Sequence, residues 1–230
     1  TGRGAIEAAA LGIKLEEDEI AFRCNLVTCR RGRILDYSAG YISSTEGALL
    51  IDALKKELED EGIRFHPGKS FRNILVLKGE YYSDDLATTP PHDIVGQSFP
   101  PYLPAARSAA ARETEETVRD LIAKSRGVLA RHAVNAKRRK AGLNPGNMIW
   151  PWSPGHRLNV KPFGEIWGVS AVAVAAVDTI KGLARSAGML APNVPGATGF
   201  VDTDYEAKAR AALDLLRTCD MAFVLSLIHI

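Results

Sequence analysis

A polar, glycine-containing loop runs into an amphipathic helix and then an apolar strand over residues 194–228, and this order commits the C-terminal part of the chain to an α/β arrangement. Gly196 and Gly199 allow a tight turn. Asp202 and Thr203 are the expected helix caps, with Glu206 completing a capping box after Thr203. Tyr205, Ala209, Ala212, Leu213 and Leu216 follow at helical spacing, and residues 221–228 read as a buried strand. A loop of this kind at strand ends is a common way to place a ligand.

The same alternation begins further upstream. Residues 148–150 and 169–174 read as strands, and residues 176–187 as a helix stopped by Gly188. Residues 20–140 follow a different pattern. Strands at 20–29 and 33–37 flank a turn at 30–32, and Ser43 with Glu46 forms a second capping box. Leu50, Ala53, Leu54 and Leu58 make an apolar stripe that ends at Gly62. Strands follow at 63–65 and 73–78, then a proline-rich stretch at 87–104 that is either an ordered functional loop or a mobile excursion. Helical periodicity resumes over 113–140 through Val118, Leu121, Ile122 and Leu129. Residues 1–13 form a short small-residue helix. The expected organisation is a first core segment at 1–19, an inserted α+β domain at 20–140 and part of an α/β core at 141–230. Hinges are expected near 15–20 and 140–146, where charged or turn-forming residues gather.

With 230 residues, 46% of them hydrophobic, the chain can build one large core or two small ones. A net charge of +2 gives no argument for nucleic-acid or membrane binding. No apolar run reaches the ~18–20 residues needed to span a bilayer, and no secretory pattern opens the chain. Cys24, Cys29 and Cys219 have neither metal spacing nor disulfide density, so reduced thiols and a cytoplasmic location are expected.

Six separated segments occur in order: TGRGAIEAAALGI, FRCNLVT, TTPPHDIVGQ, NPGNMIWPW, VDTIKGLARSAGM and the loop VPGATGFVDTDY. Together they resemble the archaeal-type 2,3-bisphosphoglycerate-independent phosphoglycerate mutases of the alkaline phosphatase superfamily. The resemblance implies an α/β fold, a partial doubly wound alkaline-phosphatase-like core carrying an inserted, substrate-clamping α+β domain. It implies an intramolecular phosphotransferase of the isomerase class that interconverts 3-phosphoglycerate and 2-phosphoglycerate. A phosphoserine and two divalent metal ions, manganese or magnesium, would serve it, without 2,3-bisphosphoglycerate.

In the family the nucleophilic serine and one aspartate ligand lie upstream of the TGRG-like motif, and further ligands lie beyond the strand that here ends near Val224. The chain is therefore expected to be an inactive internal fragment with no catalytic residue or metal ligand of its own, its residues 225–230 partly foreign or truncated, or else a natural strand with an atypical end. Ser153 replaces a glycine-rich turn of the family and is not a substitute nucleophile. A homoserine kinase-like paralogue and a noncatalytic anion-binding fragment are the competing readings. Phosphoglycerate is the expected small-molecule partner, and the oligomeric state is open.

A phosphoglycerate carries two anionic groups, and arginine's planar fork suits both. Arg23 interrupts the apolar strand AFRCN and Arg72 the strand SFRNILVL, which sets them apart from Arg3 and the general surface charge. Arg131, Arg138 and Arg139 lie on a basic helix end, which either contacts the ligand or complements the helix dipole. His92 and Asp93 follow the Pro90-Pro91 pair and either contact substrate or shape a turn. Lys181 and Arg185 share one helix face at i and i+4. Lys181 is the expected phosphate contact of the two. His66, His132, His156 and His229 show no ligand spacing, and Asp202 and Asp204 are read as loop and cap residues.

Overall fold

The computed structural model describes residues 2–226 and resolves them into two compact units. The first holds the residues up to Ala5 together with Leu15–Arg157, and the second holds Ile6–Lys14 together with the residues from Leu158 onward. The opening helix α1 (Arg3–Ala10) therefore contributes to both.

The first unit is organised by one long strand, β1 (Glu19–Arg30), buried along all but its last residue. A two-residue turn at Arg31 and Gly32, both with positive φ, returns the chain into β2 (Arg33–Asp36), as the twist of a tight antiparallel hairpin requires. Helix α2 (Ser44–Leu58) starts at the expected Ser43 cap, whose hydroxyl oxygen accepts from the Glu46 backbone N–H at 3.2 Å. Strands β3 (Ile63–His66) and β4 (Arg72–Lys78) follow.

The excursion expected at 87–104 is ordered. A short pair, β5 (Leu86–Ala87) with β6 (Ala105–Ala106), closes it at the base, and 3₁₀ turns form at Pro91–Ile94 and Pro100–Tyr102. Proline fixes φ near the value such turns need and offers no N–H to waste. The long helical run is two helices, α3 (Arg112–Arg131) and α4 (Ala133–Lys140), parted at His132, whose Nδ1 accepts from the Val134 N–H.

Strand β7 (Met148–His156) then pairs antiparallel with β1, in register from Ile20 opposite His156 to Val27 opposite Met148. The sheet runs β2-β1-β4-β3, with β7 on β1 as well. This moves the boundary expected at 140–146: the glycine and proline there join α4 to β7 inside the first unit, which continues to Arg157. Turn chemistry marked a connection, but β7 fills the β1 ladder over residues 20–27 and so belongs to the same sheet.

The second unit is parallel. Helix α5 (Phe163–Trp167) precedes β8 (Ala171–Val174), and helix α6 (Asp178–Ser186) starts two residues later than the pattern at 176–187 suggests. Helix α7 (Tyr205–Leu215) leads to β9 (Met221–Val224), which lies parallel to β8. All four residues of β8 are buried: Val172 and Val174 pack with Ala212, and Ala173 packs with Ala184 and Ala191. A parallel strand covered on both faces reads as an unbroken apolar run, which explains AVAV. The buried strand expected at 221–228 ends at Val224 and is not buried, since Met221, Phe223 and Val224 are exposed; residues 227–228 lie outside the described residues.

The N-cap of α7 is Asp204, whose Oδ1 accepts from the Ala207 N–H at 2.8 Å. This corrects the caps expected at Asp202 and Thr203. Those two stitch the loop, Asp202 Oδ1 accepting from the Thr198 hydroxyl and Thr203 Oγ1 from the Thr198 N–H. The architecture is α/β with mixed sheets. Among the described residues no helix is long and apolar enough to cross a membrane.

Candidate functional site

The TGRG motif works through its glycines. A Cβ on Gly2 would lie 1.7 Å from the Pro154 carbonyl oxygen, and one on Gly4 would lie 2.1 Å from that of Ala21. Only glycine lets the start of α1 rest on the backbones of β7 and β1. Arg3 is held between them, its backbone N–H donating to Ser153 Oγ at 3.0 Å. Its side chain lines a cleft of about 350 Å³ with Thr88, Pro90, His92, Trp152 and Ser153.

Ser153 sits where the β1–β7 register slips, and its φ of +51° lies in the left-handed region. A glycine would take that conformation without cost, which accounts for the turn the family resemblance leads one to expect. Here the serine adopts it and spends its hydroxyl on Arg3, while its N–H donates to Thr88 Oγ1 at 3.0 Å.

The sheet register sets the rest. Arg23 lies opposite Trp152, and its guanidinium carbon stands 4.2 Å from a Trp152 ring centroid. Arg23 is only 9% exposed, so the attraction of cation for ring face acts with little water to weaken it. His92, on the 3₁₀ turn after Pro90, meets Trp152 edge-on at 5.8 Å and Tyr37 at 5.9 Å. Its Nε2 is 3.6 Å from Asp93 Oδ1, and both side chains are about half exposed. Tyr37 meets Phe71 at 5.6 Å, and the Arg72 guanidinium lies over Phe71 at 4.4 Å. Arg23, Arg72, His92 and Asp93, scattered through the sequence, are thus brought onto one run of touching rings, with Arg3 at its mouth.

The turn that presents Tyr37 is tied by Asp36. Burial alone would raise this carboxyl, but hydrogen bonds from the Ser38 hydroxyl and N–H, Asn144 Nδ2 and the Gly40 N–H hold it below the usual range. Those bonds hold Ala39, Gly40 and Tyr41 at positive φ. Tyr37 is pushed up, chiefly by its hydrogen bond with the Tyr41 hydroxyl at 2.9 Å, against the pull of the Arg72 charge. A charged, ring-backed cleft of this kind can hold an anion: the cations supply donors and the rings keep them in place.

The remaining expected residues lie elsewhere. Arg131 lines a different groove of the first unit, with Leu49, Lys55, Lys56, Val128 and His132. Arg138 is buried and spent on the Asn144 and Ala39 carbonyls and the Glu46 carboxylate. Arg139 donates to the Ala130 carbonyl. Lys181, in the second unit, donates to Asn193 Oδ1 at 2.8 Å. Arg185 donates to the carbonyls of Ala9, Ala10 and Ala191, tying α6 to the end of α1. That use is structural.

Among the described residues no three His, Cys, Asp or Glu side chains converge where they could hold a metal ion. Cys24 and Cys29 are free and buried, and burial pushes both thiols up, so neither is a ready nucleophile.

Sequence reasoning missed Trp152, Asn25 and Tyr37. The first two stand in the segments NPGNMIWPW and FRCNLVT, where the spacing Arg23-x-Asn25 puts both side chains on one strand face. Tyr37 had no signal beyond its place after β2.

The profile of the family 2,3-bisphosphoglycerate-independent phosphoglycerate mutase matches residues 1–135. A mutase of that name from Methanosarcina acetivorans is 45% identical over 224 residues, covering 97% of this chain and 55% of the relative. That from Pyrococcus furiosus is 35% identical over 225 residues, covering 97% and 54%. Among solved structures, the cofactor-independent phosphoglycerate mutase of Thermoplasma acidophilum superposes with a TM-score of 0.66 at 30% identity, over 97% of this chain and 58% of its own. A Pyrococcus horikoshii protein superposes at 0.72 and 27% identity, over 97% and 50%. The chain spans about half the length of the curated relatives it matches.

Proposed function

Because the chain belongs to the 2,3-bisphosphoglycerate-independent phosphoglycerate mutase family, we propose that its first unit holds the substrate of an enzyme interconverting 3-phosphoglycerate and 2-phosphoglycerate. The carrying observation is the cleft in which Arg3, His92 and Trp152 meet, with Arg23 stacked on Trp152. Arg23, nearly buried and held on the Trp152 ring, sets a fixed positive charge behind the cleft that favours a phosphate or carboxylate there. Arg3, exposed at the mouth, closes on the same anion from outside, and Arg72 and His92 supply the donors for the second anionic group. The buried Trp152 ring keeps water from the inner side of that grip, as a phosphorylated enzyme needs to limit hydrolysis.

The family chemistry is an intramolecular phosphoryl transfer through a phosphoserine in an alkaline-phosphatase-like core, with two divalent ions, manganese or magnesium, and no 2,3-bisphosphoglycerate. The described residues offer no donor set for those ions, and the role proposed here is to bind and orient the glycerate.

Titration of the chain with 3-phosphoglycerate, followed through the His92 ring and Trp152 indole resonances, tests this. Saturable shifts at both, with 2-phosphoglycerate competing and homoserine plus a nucleotide failing to compete, are expected. No response at millimolar ligand, or a response only to homoserine and nucleotide, refutes the proposal.

A further inference from the structure

We infer that Asn25 is a positioning residue, holding the Trp152 ring so that Arg23 and His92 stand where the cleft needs them; the role for ligand binding rests on the phosphoglycerate reading above. Asn25 is 2% exposed. Its Oδ1 accepts the Trp152 indole N–H at 3.0 Å, and its Nδ2 donates to the Tyr37 carbonyl at 3.1 Å. The two ends of the amide therefore face opposite demands, an acceptor for the indole and a donor for the carbonyl, and only one orientation meets both.

Both rings that touch His92 are governed by this one group. Trp152 is bonded to it directly, and Tyr37 is anchored through its own carbonyl. The Trp152 ring is also the platform for the Arg23 guanidinium. Strand pairing does not need the Asn25 side chain, because residue 25 is already in register with Trp150 on one side and Arg72 on the other. The side chain fixes a ring that could otherwise turn about its χ angles and take Arg23 with it.

Three variants test this. Asn25→Leu keeps the volume and removes both bonds, Asn25→Asp keeps the acceptor alone, and Trp152→Phe keeps a ring but removes the indole N–H. The first readout needs no ligand: protons of a guanidinium over an indole are displaced upfield, and two-dimensional NMR of Arg23 reads that displacement. The second is calorimetric affinity for 3-phosphoglycerate.

In Asn25→Leu the upfield displacement should collapse and affinity should fall roughly tenfold, the order expected when one charge-assisted contact is misaligned. Asn25→Asp should recover part of the displacement. Adding Asn25→Leu to Trp152→Phe should cost less than Asn25→Leu costs the wild type, the remainder being the bond to the Tyr37 carbonyl. A folded Asn25→Leu chain with unmoved Arg23 resonances overturns the inference. If it fails to fold, the smaller Asn25→Ala takes its place, and unmoved Arg23 resonances in that folded variant overturn the inference. A wild-type chain that ignores 3-phosphoglycerate while the displacement still depends on Asn25 refutes the substrate reading and leaves the positioning role standing.

Discussion

His66 contributes to stability in one direction only. Burial, then the Arg64 and Lys55 charges, depress its pKa below the ordinary histidine value, and its buried Nε2 has no hydrogen-bond partner among the described residues. The folded chain thus resists protonating it, while the unfolded chain takes the proton near pH 6.5. Its contribution is complete above that value and is lost as pH falls toward the folded value. Urea unfolding at pH 7.5 and 5.5 should show a smaller loss of stability for His66→Leu than for the wild type, and equal losses would remove this account. At the cleft, Arg23→Ala and Arg72→Ala should each weaken 3-phosphoglycerate by roughly one to two decades while leaving the circular dichroism unchanged. Wild-type affinity in either variant would make that arginine a structural charge. These two were conspicuous in the sequence because a cation among apolar residues is anomalous in a linear pattern; Arg23 lies within β1, whereas Arg72 stands exposed at the first position of β4. Asn25 and Trp152 were not, since their meaning lies in a pairing between residues 127 apart. Arg138 misled for the same reason: a basic run does not reveal that one of its members turns inward onto two carbonyls and Glu46.

Among the elements, helix α7 offers a direct comparison of two neighbouring aspartates. Asp204 accepts from the N–H of Ala207, whereas Asp202 accepts from the Thr198 hydroxyl. Asp204→Ala should cost about 1 kcal/mol of stability and Asp202→Ala clearly less, read from thermal melts of the full chain. Equal losses would return the cap to the loop. The helix itself was plain in the sequence, since its period and acidic first turn are local properties. The capping residue was not, because three hydroxyl or carboxylate side chains in a row all qualify until the backbone geometry chooses. Strand β7 shows the same limit on a larger scale. Its residues read as a strand, but its partner is β1, laid down more than a hundred residues earlier, and no local property could assign it to that sheet.

For the molecule as a whole, the near-balanced net charge of +2 conceals a local imbalance, with three arginines on one run of rings. Long-range attraction of an anion to such a patch is screened within ~8 Å at physiological salt. Affinity for 3-phosphoglycerate should therefore fall steadily from 20 mM to 500 mM potassium chloride, as calorimetry at each salt can show, and a flat response would mean the anion is not held by these charges. The glycine contact at the opening of the chain has a consequence in time. Arg3 meets Ser153, 150 residues later, so a ribosome working at about 5–20 residues per second needs roughly 8–30 s between making the two halves of that contact. Until then the cleft has no far wall. A ligand can therefore act as a latch on the finished first unit but not as a template for building it: 3-phosphoglycerate should slow unfolding and leave the refolding rate untouched.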